Sequence, residues 1–169
     1  DNDLVAAIAE SSPPTTAARG ATSGLARAIG LSAHAPFRIL HQADWIAMMF
    51  GGGSVTDENN ALKTGYDPVA GCWPDWMERF VDVSLLPDVV PAGRITARVT
   101  GGQFGLSDDC AVGAGTTDGC ASFLATGASQ AGDGVTALGT TLTIKLLSDR
   151  PVFAPEYGIY SHRVLGLWL

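Results

Sequence analysis

Apolar and polar positions divide the chain into a helical first half and a strand-rich second half. Residues 3–10 have the spacing of a short amphipathic helix, which Ser11-Ser-Pro-Pro14 ends. Residues 15–30 are Ala-rich and predict a second helix. Its face runs through Ala21, Leu25, Ala28 and Ile29, and Gly30 closes it as C-cap. Phe37–His41 leads to Asp44, the expected N-cap of a helix over 45–50 that Gly51-Gly-Gly53 stops. Residues 56–66 predict a polar turn, a short helical segment capped at Thr56-Asp57-Glu58, and a stop at Gly65. Trp73-Pro-Asp-Trp76 opens a further helix with Pro74 or Asp75 near its start, and Leu85-Leu-Pro-Asp88 ends the helical region.

The texture changes after Pro91-Ala-Gly93. Residues 95–100 alternate like a strand, and 110–114 read as a buried strand. Residues 118–128 read as a helix, giving a strand–turn–helix unit with Asp118 at the helix start. Gly132-Asp133-Gly134 predicts a tight turn. Residues 135–138 and 142–147 then form a hairpin around Gly139-Thr140-Thr141, and 157–163 a third strand. There is no internal repeat, and the best domain boundary lies near Gly132.

Composition narrows the function. A chain of 169 residues can bury a real core. Its net charge of -7 leaves no basic stripe to neutralise a phosphate backbone, which argues against a nucleic-acid partner. Charged residues are sparse at 16% and glycines number 21, the profile of a compact α/β enzyme domain. Three cysteines without Cys-x-x-Cys spacing argue against a disulfide scaffold and a structural zinc, and a reducing cytoplasm fits best. Cys120 reads as a small buried apolar residue. No apolar run has the length of a membrane span, so no membrane partner is expected. The start lacks both a Met and a basic signal-peptide region, and Gly166-Leu-Trp-Leu169 ends the chain without a cap. Both ends look cut from a longer protein.

One carboxylate stands out. Asp118 follows Gly115-Thr116-Thr117 where a strand hands over to a helix, with small neighbours that let a ligand approach. It suits a general base that takes a proton from a substrate hydroxyl as that oxygen attacks phosphorus. Taken alone it fits an ordinary first-turn acid better. Gly139-Thr140-Thr141 could offer backbone N–H groups and hydroxyls to phosphate oxygens, and taken alone it is a plain hairpin turn. No Walker pattern occurs, and Gly20-Ala-Thr-Ser-Gly24 has Thr where a nucleophile elbow has Ser. His34, His41 and His162 lack ligand spacing and read as surface or hydrogen-bonded residues. Trp45, Trp73 and Trp76 read as core.

In order along the chain stand His41-Gln-Ala-Asp-Trp45, Asp57-Glu-Asn-Asn-Ala-Leu-Lys-Thr-Gly-Tyr-Asp67, Leu85-Leu-Pro-Asp88, Gly115-Thr-Thr-Asp-Gly119, Leu138-Gly-Thr-Thr-Leu-Thr-Ile-Lys145 and Tyr157-Gly-Ile-Tyr-Ser-His-Arg163. Together these resemble the FGGY family of carbohydrate kinases. They are closest to its D-ribulose kinase (xylulose-kinase-like) branch. The resemblance implies an α/β fold of the ribonuclease H-like (actin/hexokinase-type ATPase) kind. The fold would be incomplete: residues 1–132 would be the later part of the first domain with a helical insertion, and 133–169 the first strands of the second.

The resemblance also implies ATP and Mg²⁺ as co-substrates and a sugar hydroxyl as acceptor. Asp118 matches the family's catalytic aspartate, which also helps hold the sugar. Gly139, Thr140 and Thr141 match the turn that cradles the nucleotide phosphates. No residue here matches a metal ligand. The family's N-terminal Asp-x-Gly-Thr phosphate loop and its C-terminal adenosine segment have no counterpart, so the chain resembles the middle of a kinase and is expected to be inactive alone. D-ribulose is the expected acceptor. Xylulose, another sugar or polyol, and a non-catalytic binding or regulatory role are the alternatives.

Overall fold

The computed structural model describes residues 2–19 and 23–169. Helix α1 (Asn2–Ser11) buries Ile8, and a 3-10 turn at Ala17–Arg19 buries Ala18. Arg19 Nη1 donates to the Ser12 carbonyl at 2.8 Å and closes the loop between them. Helix α2 (Gly24–Ser32) starts at Ser23, whose hydroxyl accepts from the Leu25 N–H at 3.1 Å. Its buried residues Leu25 and Ala28 meet Ile8, Ile39, Met77, Val81 and Leu86 in the first core. Of the face expected for this helix, Ala21 lies outside the described residues.

Gly30 is not the C-cap. It lies inside α2, which runs on to a cap at Ala33 with helical dihedrals. The two glycines of α2 therefore carry opposite expectations. A Cβ on Gly24 would lie 2.4 Å from Thr64 Oγ1 and 3.2 Å from Thr64 Cα, a contact that backbone must absorb. A Cβ on Gly30 would meet nothing within 4 Å. Gly24→Ala is expected to destabilise by about 1–3 kcal/mol despite better helix propensity. Gly30→Ala should stabilise by about 0.5–1 kcal/mol. Thermal melts of the two variants check the signs.

Helix α3 (Gln42–Met49) begins three residues earlier than expected. His41 is its N-cap residue, and Asp44 sits in the first turn. Asp44 does not cap, because its Oδ2 is taken by His41 Nδ1 at 2.7 Å. That imidazole also meets Thr56 Oγ1 at 3.1 Å and, through Nε2, Thr64 Oγ1 at 2.9 Å, tying three elements together. Trp45 does not join the core. It is 53% exposed, whereas Trp73 and Trp76 pack against the first core.

Strand β1 (Val55–Asp57) pairs in parallel with β2 (Asp88–Val90), in register Val55↔Asp88 to Asp57↔Val90. Helix α4 (Glu58–Thr64) follows β1 directly. Asp57 Oδ1 accepts from the Asn59 and Asn60 N–H groups at 2.9 and 3.1 Å, and Gly65 at φ 120° ends the helix. The expected helix after Trp73 is instead two 3-10 turns, Asp75–Arg79 and Val83–Leu85. Each is closed by a local i→i+3 bond, Phe80 N–H to Met77 and Leu86 N–H to Val83.

Strands β3 (Ile95–Arg98) and β4 (Ala111–Gly113) pair antiparallel with an irregularity between Ile95 and Ala97. Only Val112 of β4 is buried, since the pair has one open face, so the fully buried strand expected there is a half-buried one. Helix α5 (Asp118–Leu124) stops short of residue 128, because Thr126 Oγ1 turns back onto the Phe123 carbonyl at 2.7 Å and Gly127 takes φ 82°.

Strands β5 (Gly134–Leu138) and β6 (Leu142–Leu146) form the expected hairpin, with Leu138 opposite Leu142. Residues 157–163 do not form a strand. Pro155–Tyr157 is a 3-10 turn that Gly158 leaves at φ 71°, and pairing resumes only in β7 (Arg163–Val164) with β8 (Leu167–Trp168). A second core joins Cys120 and Phe123 of α5 to Leu147 and Val164. The fold is thus mixed. Among the described residues it has one parallel strand pair, three antiparallel pairs and helices packed on two cores.

Candidate active site

The chain from β4 to α5 is held by its own threonines. Thr117 is the N-cap of α5, its Oγ1 accepting from the Cys120 N–H at 3.3 Å. Thr116 Oγ1 accepts from Asn59 Nδ2 at 3.0 Å. Asn59 is buried on α4 and spends its remaining polar capacity on β7. Its Nδ2 donates to the Arg163 carbonyl at 2.8 Å, and its Oδ1 accepts from the Arg163 N–H at 2.8 Å. One amide therefore pins the turn before Asp118 to both α4 and β7.

Asp118 is the first residue of α5 and is exposed. Its Oδ1 accepts from the adjacent Gly119 N–H at 2.7 Å, and it forms no ion pair among the described residues. It opens onto a cavity of about 940 Å³ between α4, α5, the β5–β6 hairpin and residues 158–162. A carboxylate that is neither capping its helix nor neutralised is available to accept a proton.

The structure puts Asp118 beside strands β5 and β6, whose residues Val135–Ala137 and Thr143–Leu146 line the cavity. The tip of that hairpin, Gly139-Thr140-Thr141, does not line it. The tip is exposed. Its Thr140 and Thr141 hydroxyls make no hydrogen bond among the described residues, which leaves them open to a ligand.

Four residues enter the site that sequence reasoning missed. Lys145 reaches from β6 to donate to the Gly119 carbonyl. A Cβ on Gly119 would lie 2.8 Å from the Lys145 Nζ, so glycine beside Asp118 makes room for this ammonium. Lys63 of α4, Arg150 and His162 line the same cavity. No spacing links positions 63, 145, 150 and 162, so the sequence carried no signal for them.

His162 is held as a neutral imidazole. Burial, with the Lys63 and Lys145 charges behind it, lowers its pKa to about 4, and its Nε2 has no partner. Because the folded value lies below the ordinary 6.5, its contribution to stability is full above pH 6.5 and is lost as pH falls towards 4. His162→Gln is expected to narrow the drop in Tm between pH 7 and pH 4.5. An unchanged drop would show that the carboxylates alone set the acid limb.

No family model matches the chain. A solved structure does. The chain folds like a xylulose kinase. The crystal structure of xylulose kinase from Rhodospirillum rubrum matches 98% of the chain with a TM-score of 0.84 at 23% identity. The chain spans 38% of that protein's length. A likeness at this identity is one of fold, and it meets the expectation at that level. Asp118 and residues of β5 and β6 line one cavity.

Among the described residues Asp118 is the one carboxylate side chain that lines the cavity, and no cluster of three or more His, Cys, Asp or Glu side chains occurs. One carboxylate makes no all-protein cage, but it fits a Mg²⁺ that keeps most of its waters and is held mainly by a substrate's phosphates. Cys72, Cys110 and Cys120 are free thiols, and Cys120 is buried in the second core as expected. Among the described residues no helix is long and apolar enough to cross a membrane.

Proposed function

We propose that this chain is the acceptor-activating part of an ATP-dependent carbohydrate kinase of the FGGY type, with a ketopentose such as D-ribulose as acceptor. The observation that carries the reading is Asp118. It is an exposed, unpaired carboxylate at the mouth of the large cavity, on the fold of a xylulose kinase. Asp118 accepts the proton of a sugar hydroxyl while that oxygen forms its bond to the γ-phosphorus and the bond to the leaving ADP oxygen breaks. The same carboxylate anchors the sugar.

Gly139, Thr140 and Thr141 present their open hydroxyls and backbone to the nucleotide phosphates. Mg²⁺ would arrive on the nucleotide, since this chain offers it no ligand cluster. The division into residues 1–132 and 133–169 belongs to the same proposal, with the nucleotide served by the second part and the sugar by the first.

The neighbour's name favours xylulose as a second acceptor reading. Offering D-ribulose, D-xylulose and glycerol to the whole kinase in a coupled ADP-release assay separates the acceptors. Turnover on D-xylulose alone would replace the ribulose reading. No sugar-dependent turnover would favour a binding or regulatory role. The 169-residue chain by itself is expected to release no ADP, since it covers 38% of the neighbour's length.

A further inference from the structure

The charge of this cavity runs against the charge of the chain. The protein carries 17 acidic and 10 basic residues. Yet the cavity that Asp118 opens onto is lined by Lys63, Lys145 and Arg150. Asp118 is the single carboxylate side chain among the described residues that line it, so the side chains leave a local excess of two positive charges, or one with the terminal carboxylate of Leu169, which lines the cavity in the 169-residue chain. None of the three cations forms an ion pair among the described residues. They come from α4, β6 and the segment after β6, so only the folded chain gathers them.

His162 lies within reach of two of these charges. Burial chiefly keeps the His162 ring neutral, the Lys63 and Lys145 charges add to it, and its Nε2 has no partner. Three unpaired cations around one cavity repel each other and cost stability unless an anion offsets them. A cleft of one sign also concentrates counter-ions. On a molecule of net charge -7, anions are repelled elsewhere and drawn here. The volume of about 940 Å³ holds a ligand of sugar-phosphate size.

We propose that Lys63, Lys145 and Arg150 form a phosphate seat in the Asp118 cavity, so that a phosphate monoester, the product of transfer to a sugar hydroxyl, is retained there. This rests on the kinase reading for the identity of the ester, but the seat itself does not. Lys145 is placed to serve both ends. It fixes the Gly119 carbonyl beside the base and presents its charge to the phosphate.

The test is calorimetric titration of the 169-residue chain with inorganic phosphate, D-ribulose 5-phosphate and neutral D-ribulose. Both phosphates should bind. Lys63→Met and Lys145→Met should each weaken them about tenfold, the loss expected for one charge-assisted contact. Lys63 is exposed, so its variant should fold normally even if Lys145→Met disturbs α5. Tighter binding of the ester than of inorganic phosphate means the site reads the sugar as well, and equal binding means it reads the phosphate alone. Either supports the seat.

Absence of phosphate binding, or Kd values within twofold of wild type in Lys63→Met, would overturn it. Lys-dependent phosphate binding without sugar kinase activity in the whole protein would sink the kinase reading and leave the seat standing. Active kinase with Lys63→Met binding product normally would do the reverse.

Discussion

Asp118→Asn is expected to lower sugar-dependent ADP release by the whole kinase roughly a hundredfold to ten-thousandfold, the usual worth of a positioned general base. The substitution keeps size and one acceptor oxygen, so the bond from the Gly119 N–H survives. It removes the group that accepts the proton. The loss should fall mainly on kcat, because proton acceptance matters in the transition state more than in the ground state. Sugar affinity should fall less. Stability should barely change, since Asp118 is exposed and caps nothing: Thr117 does that work through the Cys120 N–H. A variant that melts like wild type but has lost turnover supports the base. A variant that retains turnover would assign Asp118 to the ordinary role of a first-turn acid.

Asn59→Ala carries the largest expected effect on stability. The side chain is 1% exposed and serves Thr116, the Arg163 carbonyl and the Arg163 N–H at 3.0, 2.8 and 2.8 Å. Truncation orphans two part-buried backbone groups, each costing about 1–3 kcal/mol. We expect a loss of about 3 kcal/mol or more, and a Tm lower by roughly 6–12 °C for a domain of this size. Asn59→Asp should do no better. It keeps the shape, but it faces the Arg163 carbonyl with no hydrogen to donate and buries a charge. Differential scanning calorimetry decides, and a shift under 2 °C in Asn59→Ala would mean that water replaces the amide. Because Thr116 lies two residues before Asp118, the same variant should also blur the position of the base.

Local signals in the sequence survived folding wherever one short stretch contains its own reason. Asp57 caps α4 because a carboxylate there reaches the free N–H groups of Asn59 and Asn60, and Gly65 ends that helix because it can take φ 120°. The β5–β6 hairpin and the placing of Asp118 at a strand-to-helix turn followed in the same way. The sequence also determined the kind of scaffold, since its ordered motifs resemble sugar kinases and the chain folds like one.

Tertiary structure decided the rest. β1 and β2 were invisible because each is three residues long, and β1 buries Thr56 and Asp57 rather than apolar residues. Strands that short depend on a partner some thirty residues away, which no local periodicity encodes. Asp44 was an N-cap candidate until His41 claimed its carboxylate, and residues 157–163 were a strand candidate until Gly158 turned the chain. Above all, the cations around Asp118 lie on separate elements, and only packing of α4, α5 and the hairpin makes them one site. A sequence fixes which groups are present and their local conformation. Which distant charges share a cavity depends on long-range burial, and that is settled only in the folded chain.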